Sequence, residues 1–333
     1  MIIFSNSLSS STSDSSPPRR LSAAGLALIG LTKNQIVRTV PLNVAPIDAL
    51  AAGPGFLWIS TDNGVYRLAV SSRRLLPVRT GGLAAPLAFG RGRLFIYGGG
   101  PGDLKNHADV SDPLNPSYSH VVELQSFNQR QAPGPLAFVD GSLWAWEYGA
   151  AGCCSGRTLW RVDTANNRVV GRWKGPTDQA GNTLPQGVAV GAEGAWRIRG
   201  GVVARIYPKP TRGSERGYDL HARSVAVGGG SVWVVSPGVT TSRLTEIDAS
   251  SGAIVWRRTI DGRIQDITVG DGSVWLDNRP RQQILRIDIA AHHSFPPIRL
   301  PSTPGAMVAS NSGLWVGYPV GQLPASGPWP PEG

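Results

Sequence analysis

Long apolar runs are missing from this chain of 333 residues. No stretch approaches the ~20 residues of a membrane-spanning helix. Near the start only Met1 to Phe4 is apolar, short of the ~7–15 residues at the heart of a signal peptide. Cysteine is nearly absent: there are two, Cys153 and Cys154, and they are adjacent. Neighbouring Cα atoms stand ~3.8 Å apart, closer than an unstrained disulfide prefers. The pair is therefore a strained, redox-sensitive couple or two plain thiols. It staples no long loop, and stability must come from the core. Long basic runs are missing too, although 32 Lys and Arg against 22 Asp and Glu give a net charge of +10. No basic run exceeds two residues, which describes a generally basic surface and gives no reason to expect a specific nucleic-acid partner.

Glycine (42) and proline (27) are plentiful, yet 41% of the residues are hydrophobic, more than a disordered chain would carry. This combination suits many short strands joined by tight turns. Residues 1–20, "MIIFSNSLSSSTSDSSPPRR", are the exception, a Ser-rich segment expected to be disordered, and residues 321–333 form a Pro/Gly-rich tail. A Ser/Pro tract ahead of a folded domain often follows a membrane anchor, which favours an extracytoplasmic setting.

One phrase recurs: "GPGFLWIS", "GRGRLFIY", "VDGSLWAW", "GAEGAWRI", "GGGSVWVV", "GDGSVWLD" and "SNSGLWVG". Aligned on Trp58, Phe95, Trp144, Trp196, Trp233, Trp275 and Trp315, the gaps are 37, 49, 52, 37, 42 and 40 residues. A period of ~40–50 residues signals propellers or repeat arrays. The unit from 223 to 260 holds four short apolar runs, Ser224–Val227, Ser231–Val235, Arg243–Asp248 and Ile254–Ile260, each of strand length. Both faces of the second run are apolar, as burial between two neighbouring sheets requires. The glycines permit the tight turn, and the aromatic residue fills the wedge between sheets. Third runs end in Asp112, Asp163, Asp248 and Asp288, each before a turn that its carboxylate can hold.

The last unit supplies two strands and stops, while "LALIGLTKNQIVRTVPL" (26 to 42) matches a third and fourth strand, Ile36 and Val37 falling on Ile254 and Val255. Six complete units and this divided one predict an all-β, seven-bladed β-propeller over residues 21–320, closed by one composite blade and expected to be a monomer.

The unit "VAVGGGSVWV…LTEIDASSGAIV" resembles the YVTN/NHL-like β-propeller repeats of bacterial proteins. It is also similar to the streptogramin (virginiamycin B) lyase propellers and the quinoprotein amine dehydrogenase β-chain-like superfamily. The resemblance covers almost the whole chain and implies a fold, because such repeats carry structure rather than chemistry.

In a propeller, the loops after second strands share a face with the connections into first strands. Asp48, Gln186, Arg223, Gln265 and Asp266 stand where first strands begin, so they are the candidate ligand-binding residues at the channel mouth. Of five histidines only His221 is well placed there, making it the catalytic candidate. The lyases that the chain resembles use His and Glu on this face, but no motif around His221 matches theirs. Asp48 and Asp266 are too few for Ca²⁺, which takes six or more oxygens, so no metal is expected. "GGGPG" at 98–102 lacks the Lys-Ser/Thr of a phosphate loop. Some quinoprotein dehydrogenases set a vicinal disulfide against their cofactor, but the docking motif and haem motif of that class are missing here, and no cofactor is expected. The sequence therefore reads as a non-enzymatic binding or interaction module for an unidentified small molecule or protein. A lyase acting from the same face is the alternative.

Overall fold

A computed structural model describes residues 24–42, 44–80, 85–98, 107–111, 119–123, 132–148, 158–174, 187–192, 194–207 and 217–319. The protein is an all-β propeller built of antiparallel sheets. Among the described residues the one helical element is a 3-10 turn at Arg279–Arg281. The strands form seven four-stranded sheets. Six are continuous in sequence, spanning 47–80, 87–123, 132–174, 187–219, 224–261 and 266–299, with their strands ordered as in the chain. The seventh is assembled from both ends: Met307–Ser310 and Gly313–Pro319 are extended by Ala24–Gly30 and Gln35–Leu42. Residues 26–42 thus complete the last unit as expected, with Leu28 opposite Trp315.

First strands of successive sheets pack side by side in chain order, and Met307–Ser310 returns to Ile47–Gly53. The recurring aromatics Trp58, Phe95, Trp144, Trp196, Trp233, Trp275 and Trp315 all lie on second strands and are all buried. Trp233 belongs to a cluster joining Ala226 and Leu244 of its own sheet to Ile267, Val269 and Val274 of the next, the wedge position the repeat requires. Burying so large a side chain contributes on the order of 2–3 kcal/mol each time the phrase recurs. Some arginines are spent on the same aromatics. Arg161, Arg205 and Arg286 sit opposite Trp144, Trp196 and Trp275 in register, their guanidinium carbons 5.2, 5.8 and 5.1 Å from the ring centroids. Opposite Trp233 the position holds Glu246 instead.

The turns explain the glycines. Arg91-Gly92, Asp140-Gly141, Gly229-Gly230 and Asp271-Gly272 have positive φ at both positions, as the two-residue turn that suits twisted hairpins demands. At Gly92, Gly230 and Gly272 an added Cβ would meet nothing, so the conformation alone selects glycine. The third-strand aspartates behave as predicted wherever they are described. Asp163 accepts the Ala165 N–H (2.9 Å), Asp248 the Ser251 N–H (2.7 Å) and Asp288 the Ala291 N–H (2.7 Å). Asp112 lies outside the described residues.

Candidate functional site

Strand direction alternates within each sheet, so loops from second to third strands and connections into the next sheet's first strand share one face. We term this the loop face; the tight first-to-second turns lie on the opposite, turn face.

The most developed polar group on the loop face is a pair of carboxylates in the sixth sheet. Asp266 begins the first strand, Asp266–Gly270, and its register partner on the second strand, Ser273–Asn278, is Asp277. Asp277 Oδ1 accepts the backbone N–H of Asp266 (2.6 Å) and of Gln265 (2.9 Å), while its Oδ2 accepts Arg279 Nε (2.7 Å). The Ser224 hydroxyl, reaching across from the fifth sheet, donates to Asp266 Oδ1 at 2.7 Å. Asp266 and Asp277 are both buried. Burial first, and the neighbouring charge of Asp266 second, raise Asp277 to a pKa of about 7 against the pull of Arg279. Near neutral pH this carboxyl therefore titrates instead of standing as a fixed charge.

Asp48 occupies a register shift between Ile47 and Ala49, an irregularity that re-aims a side chain at a strand's start. It is half-buried, and burial, then repulsion by Asp62, lift it to about 6. Its Oδ2 is buried without a hydrogen-bond partner.

Of the candidates read from sequence, Gln265 and Asp266 come together through Asp277. Arg223 is exposed, and its backbone N–H donates to the Val235 carbonyl at 2.8 Å. Asp266 Oδ1 accepts from the hydroxyl of Ser224, the residue after Arg223. His221 is 88% exposed with its Nδ1 3.8 Å from Asp219 Oδ1, and no hydrogen bond joins it to the carboxylate pair. Gln186, Cys153 and Cys154 lie outside the described residues. His107 and His120 fall on the third and fourth strands of the second sheet. His292 lies on the turn face, its Nε2 2.7 Å from Glu246 Oε2 and its ring stacked on Trp256. Among the described residues no three His, Cys, Asp or Glu gather closely enough to hold a metal ion.

Asp277 was missed because "DNRPRQQ" reads as a loop; in fact Asp277 and Asn278 are the last residues of a strand. The signal was available: counted from Ser273, Asp277 holds the place that Val235 holds counted from Ser231, an acid where the repeat has an apolar residue.

No family model matches the sequence, and no curated protein does. Solved structures do match in fold. The structure of apo AztD from Citrobacter koseri superposes with a TM-score of 0.57 at 13% identity, over 91% of this chain and 100% of that one. The dihydro-heme d1 dehydrogenase NirN in complex with DHE gives 0.55 at 15% identity, over 90% of this chain and 69% of NirN. The RRP9 WD40 repeats give 0.56 at 11% identity, over 82% and 94%. These are β-propellers, and the chain shares their fold.

Proposed function

We propose that the protein is a non-enzymatic binding or interaction module of the YVTN/NHL-like kind, its seven sheets acting as the blades of one closed ring. In this reading its ligand or partner sits on the loop face, in an extracytoplasmic setting. The observation that carries the proposal is Asp48. A buried carboxylate oxygen with no partner costs about 1–3 kcal/mol and is retained where something else supplies the donor. Gln265 and Asp266 stand at the start of another first strand, held there through their N–H groups by Asp277, and the exposed Arg223 adds one positive charge. Such a face suits a molecule offering hydrogen-bond donors or a cation to the carboxylates. The lyase alternative would rest on His221, whose described acidic neighbour, Asp219, ends a fourth strand and is itself 71% exposed.

The test is a thermal-shift screen of cationic, neutral and anionic small molecules against wild type, Asp48→Asn, Asp266→Asn and Arg223→Ala. A loop-face ligand at about a hundred times its Kd stabilises wild type by ~2.7 kcal/mol. Cationic or donor-rich hits should lose most of that gain in the Asp variants, and anionic hits should lose theirs in Arg223→Ala. Hits indifferent to all three substitutions would place binding elsewhere and defeat the proposal.

A further inference from the structure

Every sheet ends in an outer fourth strand whose far edge pairs with nothing among the described residues. An unpaired edge is a template for another strand, and most of these edges are blunted. Gln35–Leu42 and Leu75–Thr80 each contain a proline, and Arg168–Lys174 keeps four residues beyond its bulge at Val170. Ser119–Glu123, Gly217–Asp219 and Ile298–Arg299 have five, three and two residues. Ile254–Asp261 is the exception. Beyond Val255 its six residues Trp256–Asp261 pair in unbroken register with Thr241–Glu246 and include no proline. Gly262, just past this strand, donates its N–H to the Thr240 carbonyl (3.0 Å). Backbone groups alternate sides along an antiparallel ladder, so the N–H and C=O of Arg257, Thr259 and Asp261 point away from the sheet.

Charge decides what this edge admits. Arg257 and Arg258 on the strand, Arg243 on its inner neighbour and Arg263 just beyond are all exposed. Arg243 is the register partner of Thr259, so it shares a face of the sheet with Arg257, two residues from Thr259. Among the described residues Arg243, Arg257 and Arg263 make no ion pair or side-chain hydrogen bond. The acids around them are engaged elsewhere. Asp261 is held by Arg281 (2.6 Å), Asp248 by the serines of its own turn, Glu246 by His292 (2.7 Å), and Asp219 lies beside His221. A second copy paired about Thr259 would offer its Asp261 to Arg257, but would also bring the four exposed arginines of each edge together. The flanks of this chain do not suit the edge either: residues 1–23 hold one acid, Asp14, against Arg19 and Arg20, and residues 320–333 hold four prolines.

We infer that this edge is a docking site for an extended acidic segment of another protein, which adds to the fifth sheet as a fifth strand. Its backbone pairs with Arg257 and Thr259. Carboxylates on alternate residues meet Arg257 directly and, across Thr259, Arg243. A phosphate polymer would use the arginines and leave the N–H and C=O groups of the edge unpaired.

Fluorescence anisotropy of the full chain with labelled decapeptides that alternate Val with Glu, Gln or Lys tests this. The Glu peptide should bind at least tenfold more tightly than the Gln peptide, and the Lys peptide should not bind. A peptide alternating Pro with Glu, equal in charge but unable to form a strand, should not bind, nor should oligothymidylate. Arg243→Glu combined with Arg257→Glu should weaken the Glu peptide at least tenfold. Thr259→Pro removes an outward N–H without touching the ladder to the inner strand, so it should abolish binding while circular dichroism shows the fold retained. Asp48→Asn, on the loop face, should leave every titration as in wild type. Binding of the Pro-Glu peptide or oligothymidylate as tight as that of the Glu peptide, equal affinity for Glu and Lys peptides, or no binding of any would each overturn the inference. So would indifference to the arginine variant, sensitivity to Asp48→Asn, or self-association of the wild type that Thr259→Pro abolishes, which would assign the edge to a second copy. The loop-face reading fails only through its own variants.

Discussion

At the scale of single residues, the repeat is most informative where it is broken. Asp277 takes an apolar place in its strand, and its significance depends on Asp266 across the sheet and on Ser224, 42 residues from Asp266 in sequence. None of that is local, which is why a pass along the chain finds Asp266 at a strand's start but not its partner. The consequence is a dependence on pH. An acid whose pKa is about 7 when folded and near 4 when unfolded binds its proton more strongly in the native state. Between those values the unfolded chain has already released that proton, so stability falls as pH rises from about 4 to about 7 and levels off above. The slope from this one group approaches ~1.4 kcal/mol per pH unit at its steepest. Asp277→Asn cannot titrate. Its melting temperature should decline less than that of wild type across pH 4–7, as calorimetry at half-unit intervals would show; parallel curves would refute the assignment.

At the scale of elements, strands and turns were legible because each unit repeats the same constraint. The match of Ile36-Val37 to Ile254-Val255 holds down to the register. In both pairs the valine is a bulge, left out of the pairing between Arg38 and Ile36 or between Trp256 and Ile254. Val170 is skipped in the same way. These three valines are 50%, 56% and 58% exposed, in the order Val37, Val255, Val170, although hydrophobicity alone would place them in the core. A bulge twists an outer strand and makes it a poor template for another sheet. Glycines also divide by cause. Gly272 has φ +68 and open space around it, whereas a Cβ on Gly313, at φ +127, would lie 2.0 Å from the Ile29 carbonyl oxygen of the strand beside it. Gly272→Ala should cost about 1 kcal/mol, the penalty of the conformation. Gly313→Ala should cost clearly more, because the composite sheet must shift as well. Equal urea midpoints for the two variants would contradict this difference.

At the scale of the whole molecule, the ring was readable from the unmatched ends, since two strands missing at one end and two spare at the other admit one economical pairing. The polar groups of the loop face were only partly readable, because their geometry depends on contacts between sheets, such as that of Ser224 with Asp266. Removing residues 1–42 deletes Ala24–Gly30 and Gln35–Leu42, baring one side of Gly313–Pro319 together with the buried Trp315 and Val316. The truncated protein should aggregate, as light scattering would report. A synthetic peptide of residues 24–42 added during refolding should restore a monodisperse product by taking the vacant place in the sheet. A truncated protein as soluble and as stable as the full chain would dismiss the composite closure.

The pairing of Ala24 with Pro319 places the start of one strand of the composite sheet directly beside the end of its neighbour. Tension applied through both flanks would load the ladder at one extremity and peel its hydrogen bonds in succession, beginning from Ala24 and Pro319, rather than shearing them together. The same junction falls on the loop face. A tether attached through either flank would thus hold the molecule by the side that carries Asp48 and Asp266, and leave the turn face pointing outward.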